Sequence, residues 1–326
     1  MGSWIKTSVA AALALGCLTA AAQAAEKWDM ALAYSATNYH SENAARFAAA
    51  VTAATGGELE IVTHPSGSLF KGNEIFRAVR RGTIPIGERL ISALGNEDPI
   101  FEVDAVPFLA TSFEAAMKLH KASTPVMAEI LAEKDLKLLY AVPWPPQGLY
   151  NKNPVSSAAD MKGVKFRAYN AATSRLAELM GAVPTKIEAA ELSQAFATGV
   201  AESMISSGST GYDRKLWEHV QYWYDTQAWL PKNMVVVNMK AWEGLDEKTQ
   251  AIVLGAAAMA EQAGWAKAQE LADWYKEQLA ANGMTVEPPS EQLKADMEQI
   301  GATMTDEWLG RAGDQGKAIV DSFKAM

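Results

Sequence analysis

Cysteine is nearly missing from this chain of 326 residues, which contains only Cys17, within an apolar N-terminal segment. The rest of the sequence therefore excludes disulfides, thiol nucleophiles and cysteine metal ligands. Histidine is scarce too: there are four, and none is paired with another at the spacing of helical metal ligands. The G-x-S-x-G elbow of serine hydrolases is also missing. We therefore expect no metal, no cofactor and no catalytic residue.

Positive charge is in short supply, with 29 Lys and Arg against 38 Asp and Glu and a formal net charge of -9 at pH 7. The densest basic point is the pair Arg80 and Arg81. Nucleic acid and anionic membranes are therefore poor partners. Because the acidic surface repels anions, any anion site has to rely on buried, short-range donors.

Residues 1–24 have the composition of a secretory signal peptide. Lys6 supplies the positive charge, residues 9–18 form the apolar stretch, and a small-residue cleavage pattern ends at Ala24. We expect cleavage near Ala24 and a periplasmic mature protein. A lipid-anchored alternative with attachment at Cys17 is disfavoured, because the residue three positions before it is alanine rather than the usual leucine. No later segment approaches the ~20 apolar residues of a membrane span.

The expected mature chain, residues 25–326, is longer than a chain that folds around one hydrophobic core usually is. Strand, helix and strand patterns over 28–34, 41–55 and 58–64 indicate an α/β unit. The proline-rich segment 143–146 stops both helix and sheet, which suits a crossing between lobes. We predict an α/β fold of two lobes with a ligand cleft between them. Their predicted limits are 25–146 plus about 232–265 for lobe I, and 147–231 plus about 266–326 for lobe II.

A long helical pattern begins at residue 247 and continues to residue 281, where Asn282 and Gly283 stop it. At 1.5 Å per residue such a helix is ~50 Å long. It is long enough to span both lobes.

Arg167 is the strongest candidate for ligand binding. It follows the apolar strand positions Val164 and Phe166, and Asn170 then caps a predicted helix. A guanidinium beside the free N–H groups of a helix start forms a suitable site for a small carboxylate. The alternative from spacing alone is a surface or ion-paired arginine at a strand end.

Residues 156–167 (SSAADMKGVKFR) resemble a phrase of the substrate-binding proteins of tripartite ATP-independent periplasmic (TRAP) transporters, the DctP-like family. Three further phrases occur in the family's order, at 67–69, 106–109 and 242–248, and the resemblance covers essentially the whole mature chain. It implies a two-lobe periplasmic binding protein, type II-like, with a long helix bridging both lobes. It also implies capture of a small organic anion and delivery to the ion-coupled membrane permease subunits of a TRAP transporter.

By position, the resemblance implies that Arg167 holds the carboxylate and that Asn38, Leu90, Gln147 and Ser206 occupy ligand-contact positions. Residue type and place in the chain add further candidates: Arg89 beside Leu90, Ser207 beside Ser206, the helix cap Asn170, and the indoles of Trp144 and Trp229. Gln147 replaces a second arginine of acid-sugar binders, which favours a single carboxylate. Leu90 replaces a pocket carboxylate of some members, so amine recognition is not expected there.

Indole rings at Trp144 and Trp229 flank the expected cleft and favour an aromatic or otherwise apolar monocarboxylate. The alternative for each ring is a place in the core. Three other functions stay open at this point: the binding protein of an ATP-driven importer, a secreted carboxylate-processing enzyme, and a ligand-sensing partner of a membrane receptor. We expect a monomer.

Overall fold

A computed structural model describes residue 1 and residues 25–326 of the chain. Residues 2–24 of the predicted signal peptide, with Cys17 and the cleavage site near Ala24, lie outside the described residues. Within the described part, no helix is both long and apolar enough to cross a membrane.

The first lobe is built on a five-stranded sheet with the order β2-β1-β3-β10-β4. Its strands are β1 (Glu26–Ala31), β2 (Leu59–His64), β3 (Ile86–Leu90), β4 (Leu136–Pro143) and β10 (Lys232–Asn238). Strands β1, β2 and β3 are parallel, and β10 runs antiparallel to both of its neighbours. Val235 and Val236 of β10 pack into different clusters on opposite faces, so helices cover both faces of this sheet.

The second lobe contains a six-stranded sheet with the order β11-β9-β5-β8-β6-β7. Its strands are β5 (Gln147–Asn151), β6 (Lys165–Ala168), β7 (Val183–Lys186), β8 (Ser203–Ser207), β9 (Tyr222–Tyr224) and β11 (Thr285–Glu287). Strands β6, β7 and β8 run parallel to one another, whereas β5 is antiparallel to β8 and β9.

Nine α-helices lie among the described residues. They are α1 (Tyr39–Ala54), α2 (Gly72–Arg80), α3 (Phe113–Ala132), α4 (Ala171–Leu179), α5 (Leu192–Ala197), α6 (Gly208–Asp213), α7 (Met239–Glu243), α8 (Glu247–Ala281) and α9 (Glu291–Lys324). The fold class predicted from the sequence, two α/β lobes joined by a long helix, is confirmed.

Helix α8 is the predicted long helix, and it begins and ends at the expected residues. Asp246 caps it by accepting a hydrogen bond from the Thr249 N–H at 2.9 Å. Val253 packs into the core of the first lobe, whereas Leu279 packs into a cluster of the second. One continuous helix therefore contributes to both cores.

Helix α9 also connects the lobes, although residues 266–326 were expected to belong to the second lobe. Met297 packs in a cluster of the second lobe, but Trp308 and Ile319 pack in the first lobe. Its backbone departs from helical geometry at Gly313, where φ is 59°. The apolar positions continue along the whole helix, and its length places the second half against the other lobe.

Two extended segments cross between the lobes side by side. The first joins β4 to β5 and the second joins β9 to β10. The Trp144 N–H donates to the Pro231 carbonyl at 2.7 Å, and the Gln147 N–H donates to the Trp229 carbonyl at 3.0 Å. The crossings therefore form a short ladder, and the predicted break at Pro143–Pro146 is where the chain changes lobe.

Candidate functional site

A cavity of about 50 Å³ lies between the lobes, at the edge where β1, β3, β6, β7 and β8 end. Ligand sites of open α/β sheets commonly lie at the carboxyl ends of strands. Seven predicted site residues line the cavity: Arg89, Leu90, Trp144, Gln147, Arg167, Ser206 and Ser207. Six others complete the lining: Tyr34, Tyr169, Glu188, Ala189, Thr210 and Pro231.

Arg167 extends into this cavity from β6. Its neighbour Phe166 faces the core of the second lobe, so the alternation of the strand directs Arg167 to the opposite face. The Arg167 Nε–H donates to the Ile187 carbonyl at 2.9 Å, and the guanidinium carbon lies 5.1 Å from the centre of the Tyr169 ring. These contacts orient the guanidinium.

The charge of Arg167 is buried without a counterion. The residue is 3% exposed, and among the described residues it forms no ion pair. Burial lowers the pKa of Arg167 to about 10, so the side chain remains protonated at neutral pH. Its two terminal nitrogens are therefore suited to a carboxylate, which accepts two parallel hydrogen bonds.

The second arginine of the cavity, Arg89, is paired across the cleft. It lies at the end of β3, and its Nη1 atom is 3.6 Å from Oε2 of Glu188, which follows β7 in the other lobe. Sequence reasoning missed Glu188. An acid next to a predicted strand end is a weak signal, and only its long-range pairing with Arg89 marks it as part of the site.

Aromatic rings form the walls of the cavity. The Trp144 indole packs edge-on to Tyr34, with ring centres 4.7 Å apart. The Trp144 Nε1–H donates to Asn233 Oδ1 at 2.9 Å. Tyr169 also lines the cavity, and its hydroxyl donates to Gln147 Oε1 at 3.3 Å. Hydrogen bonds thus fix the polar ends of both side chains, and the parts of the rings that Arg167 and His40 do not cover remain for packing against a ligand.

Neutral polar side chains supply the rest of the lining. Gln147 and Ser207 are paired across β5 and β8, and both are almost fully buried. The Gln147 Nε2–H donates to the Pro145 carbonyl at 3.0 Å. Ser206 and Thr210 complete this group. These groups provide directional hydrogen bonds without adding charge.

Three predicted contact residues, Asn38, Asn170 and Trp229, lie outside the cavity lining. Asn38 donates to Asp213 Oδ2 at 2.6 Å, and its Oδ1 caps α1 by accepting from the His40 N–H. The Trp229 indole N–H donates to the Tyr169 hydroxyl at 3.1 Å, so the indole lies at the polar end of that side chain.

Asn170 caps α4, as its sequence position predicts, and its Oδ1 accepts from the Thr173 N–H at 2.8 Å. Its Nδ2 donates to Ser92 Oγ of the first lobe at 3.0 Å. The next residues, Ala171 and Ala172, line a different cavity beside α9. The start of α4 therefore lies away from the cavity that contains Arg167.

Two fully buried titratable groups support the Trp144 wall. The His40 ring centre lies 4.2 Å from that of Trp144, and its Nδ1 is 3.9 Å from Glu88 Oε2. Asn233 donates to Glu88 Oε1 at 3.1 Å. Burial raises the pKa of Glu88 to about 8 and lowers the pKa of His40 well below its usual value. Both groups are therefore mainly uncharged at pH 7.

This arrangement of two lobes, paired crossings and an interlobe cavity with one uncompensated cation defines a solute-binding receptor. Residues 30–310 match the family described as bacterial extracellular solute-binding protein, family 7. The chain belongs to this family. Its fold and family are those of TRAP solute receptors rather than enzymes, and such receptors bind small organic anions and work with membrane permease components.

Solved structures of similar receptors support the same classification. The chain is 52% identical to a marine metagenome TRAP solute-binding protein specific for pyroglutamate, with a TM-score of 0.92 and coverage of 93% of this chain and 99% of the other. It is 46% identical to DctP6 of Bordetella pertussis, a receptor that binds pyroglutamic acid, with a TM-score of 0.91 and coverage of 92% and 100%.

A curated relative is more distant. The ectoine/5-hydroxyectoine-binding periplasmic protein UehA of Ruegeria pomeroyi is 24% identical over 323 residues, which are 97% of this chain and 94% of that protein.

Proposed function

We propose that this protein is a periplasmic receptor for pyroglutamate, which it delivers to a TRAP-type permease. The observation that carries the proposal is the single uncompensated cation of the cavity, Arg167, facing a lining that is otherwise neutral overall. The charge of Arg89 is balanced by Glu188. The binding of pyroglutamate by relatives that are 52% and 46% identical supports the same ligand here.

Pyroglutamate fits this distribution of groups. It is a five-membered ring amide with one carboxylate, one ring N–H, one ring carbonyl and an edge of two methylene groups. Arg167 would hold the carboxylate, and the rings of Trp144 and Tyr169 would pack against the faces of the small ring. A dicarboxylate would leave its second charge without a counterion in a buried site, which is unfavourable.

The sequence-based preference for an aromatic or apolar monocarboxylate is refined by this proposal. The single carboxylate and the ring are retained. The rest of the proposed ligand ring is polar rather than aromatic. Gln147, Ser206 and Thr210 offer hydrogen bonds that an aromatic acid would leave unmade.

A thermal-shift and calorimetry screen of ligand-stripped protein tests the proposal. Pyroglutamate should give the largest rise in Tm, because at equal concentration the ligand with the lowest Kd stabilises the folded state most. A ligand at 100 times its Kd contributes about 2.7 kcal/mol. Benzoate and succinate serve as the aromatic and dicarboxylate comparisons. A screen in which either of these stabilises the protein more than pyroglutamate would reject the assignment.

Export and closure complete the proposed function. The mature chain should begin at Ala25 and act as a monomer, which intact-mass measurement and light scattering of periplasmic protein would test. Closure is supported by contacts between the lobes at Asn38 with Asp213, at Asn170 with Ser92 and at Arg89 with Glu188. A ligand that is enclosed by both lobes shifts the population toward this closed form.

A further inference from the structure

The pair formed by Arg89 and Glu188 lies between the ligand cavity and an outer cavity of about 500 Å³. Both residues line both cavities, as do Tyr34 and Ala189. The pair is therefore part of the wall that separates the bound ligand from the outside. One partner comes from each lobe.

The hydrogen bonding of this pair is incomplete. The distance of 3.6 Å between Arg89 Nη1 and Glu188 Oε2 exceeds that of a hydrogen bond. The Nε atom of Arg89 and the Oε1 atom of Glu188 are buried, and neither has a hydrogen-bond partner among the described residues. Because buried polar groups in native proteins are normally paired, the pair has unused hydrogen-bonding capacity beside the ligand cavity.

The pair is supported from the outer side by the first turn of α2. A Cβ atom at Gly72 would lie 3.0 Å from Arg89 Nη1 and 3.3 Å from Glu188 Oε2. The backbone of α2 therefore approaches the pair closely on this side.

We propose that Arg89 and Glu188 form a donor–acceptor clamp for the edge of a cyclic amide. Arg89 donates to the ring carbonyl and Glu188 accepts from the ring N–H, while Arg167 holds the carboxylate. This inference rests on the proposed function and extends it to a substrate class. The class is small ring amides with a carboxylate on the carbon next to the ring nitrogen.

The geometry of a small ring amide explains why a cation beside an anion suits it. Chain amides are trans, so that their N–H and C=O point in opposite directions. A five-membered ring forces the cis form, in which both groups point to the same side. One ligand edge therefore presents an acceptor to Arg89 and a donor to Glu188, whereas proline lacks the carbonyl and carries a charged amine.

The clamp is tested by measuring the affinities of two ligands for two proteins, the wild type and Glu188→Ala. The ligands are pyroglutamate and its lactone analogue, in which a ring oxygen replaces the N–H. Calorimetry of the wild type should show the lactone bound at least about tenfold more weakly, because Glu188 then lacks a donor. In Glu188→Ala the two ligands should differ by less than about threefold, since the acceptor is gone.

Two further variants complete the design. Glu188→Gln keeps the size of the side chain and offers an N–H to the ring oxygen, so it should reduce or reverse the preference for pyroglutamate. Glu191→Gln is the matched control, because Glu191 lies in the same segment and lines only the outer cavity. Its preference should equal that of the wild type.

The outcomes separate the two proposals. If the wild type binds pyroglutamate but does not discriminate against the lactone, or if Glu188→Ala and Glu188→Gln both keep the full preference, the clamp is overturned and the receptor function stands. If the wild type does not bind pyroglutamate at all, the proposed function fails, and the clamp fails with it. The wild-type comparison alone decides the matter should Glu188→Ala not fold.

Discussion

Asn38 of the first lobe donates a hydrogen bond to Asp213 of the second, with 2.6 Å between Nδ2 and Oδ2. Asn38 is fully buried, and burial raises the pKa of Asp213. The contact lies beside the ligand cavity rather than in it. Its effect on binding should therefore act through the closure of the lobes.

Asn38→Asp should weaken ligand binding about tenfold or more, because it removes the donor and places a second carboxylate against Asp213. The acceptor that caps α1 is kept, so the fold should persist. Calorimetry measures the affinity, and X-ray scattering should show a larger radius of gyration. The double variant with Asp213→Asn exchanges acid and amide and should restore most of the affinity. No recovery in that variant would contradict a closure role.

Arg167→Met should reduce the affinity for the carboxylate ligand by at least about 30-fold, because a buried charge-assisted pair is lost. Calorimetry is the measurement, and circular dichroism should show an unchanged fold. Arg175→Met is the matched control, since Arg175 lies on α4, pairs with Glu307 and does not line the ligand cavity. Equal affinities in wild type and Arg167→Met would remove Arg167 as the anchor.

Trp144→Phe should abolish most of the ligand-induced change in tryptophan fluorescence and weaken binding by about 2- to 10-fold, the value of an aromatic contact. The indole lines the cavity and is fixed by Asn233. Trp28→Phe serves as the control because Trp28 is buried in the core of the first lobe. A fluorescence change that survives in Trp144→Phe would show that another indole reports the ligand.

Glu88→Gln should make the protein more stable than the wild type at pH 8, with a difference that disappears near pH 5. Burial raises the pKa of Glu88 from 4.5 to about 8. Between these values the folded state binds a proton that the unfolded state has lost, so wild-type stability falls as the pH rises. Glutamine keeps the acceptor for Asn233 and does not titrate.

The measurement is the Tm of Glu88→Gln and of the wild type, compared with each other at about pH 5, 6.5 and 8. These pH values span the range between the usual and the raised pKa of Glu88. His40, whose pKa is lowered by burial, acts in the opposite direction and mainly below its usual value. Parallel curves for wild type and variant would indicate that Glu88 does not carry a raised pKa in the folded protein.

Local patterns predicted the elements of this fold well. Helix α8 has the predicted limits, because Asp246 caps its start and Asn282 with Gly283 ends it. Strand β9 has only three residues, and a pattern of that length carries no periodic signal. The route of α9 across both lobes depends on which apolar residues meet in space, which a single sequence does not reveal.

The candidate site was predicted unevenly for the same reason. Arg167 was predicted because strand alternation and a cap lie next to it in the chain and because the surrounding phrase resembles that of the TRAP receptors. Glu188 was missed because its partner Arg89 is distant in sequence and belongs to the other lobe. Trp229 was expected at the cavity, but its N–H is directed to Tyr169, and that hydrogen bond is a property of the assembled structure.

The ladder between the two crossing segments connects the cavity lining to the segments that join the lobes. Trp144, Gln147 and Pro231 belong to the ladder and also line the cavity. A rotation of one lobe about the crossings must therefore displace the surface on which the ligand rests. Under the proposed closure, occupancy of the cavity would be coupled to the angle between the lobes, and a permease that recognises this angle would need no contact with the solute to distinguish a loaded receptor from an unloaded one.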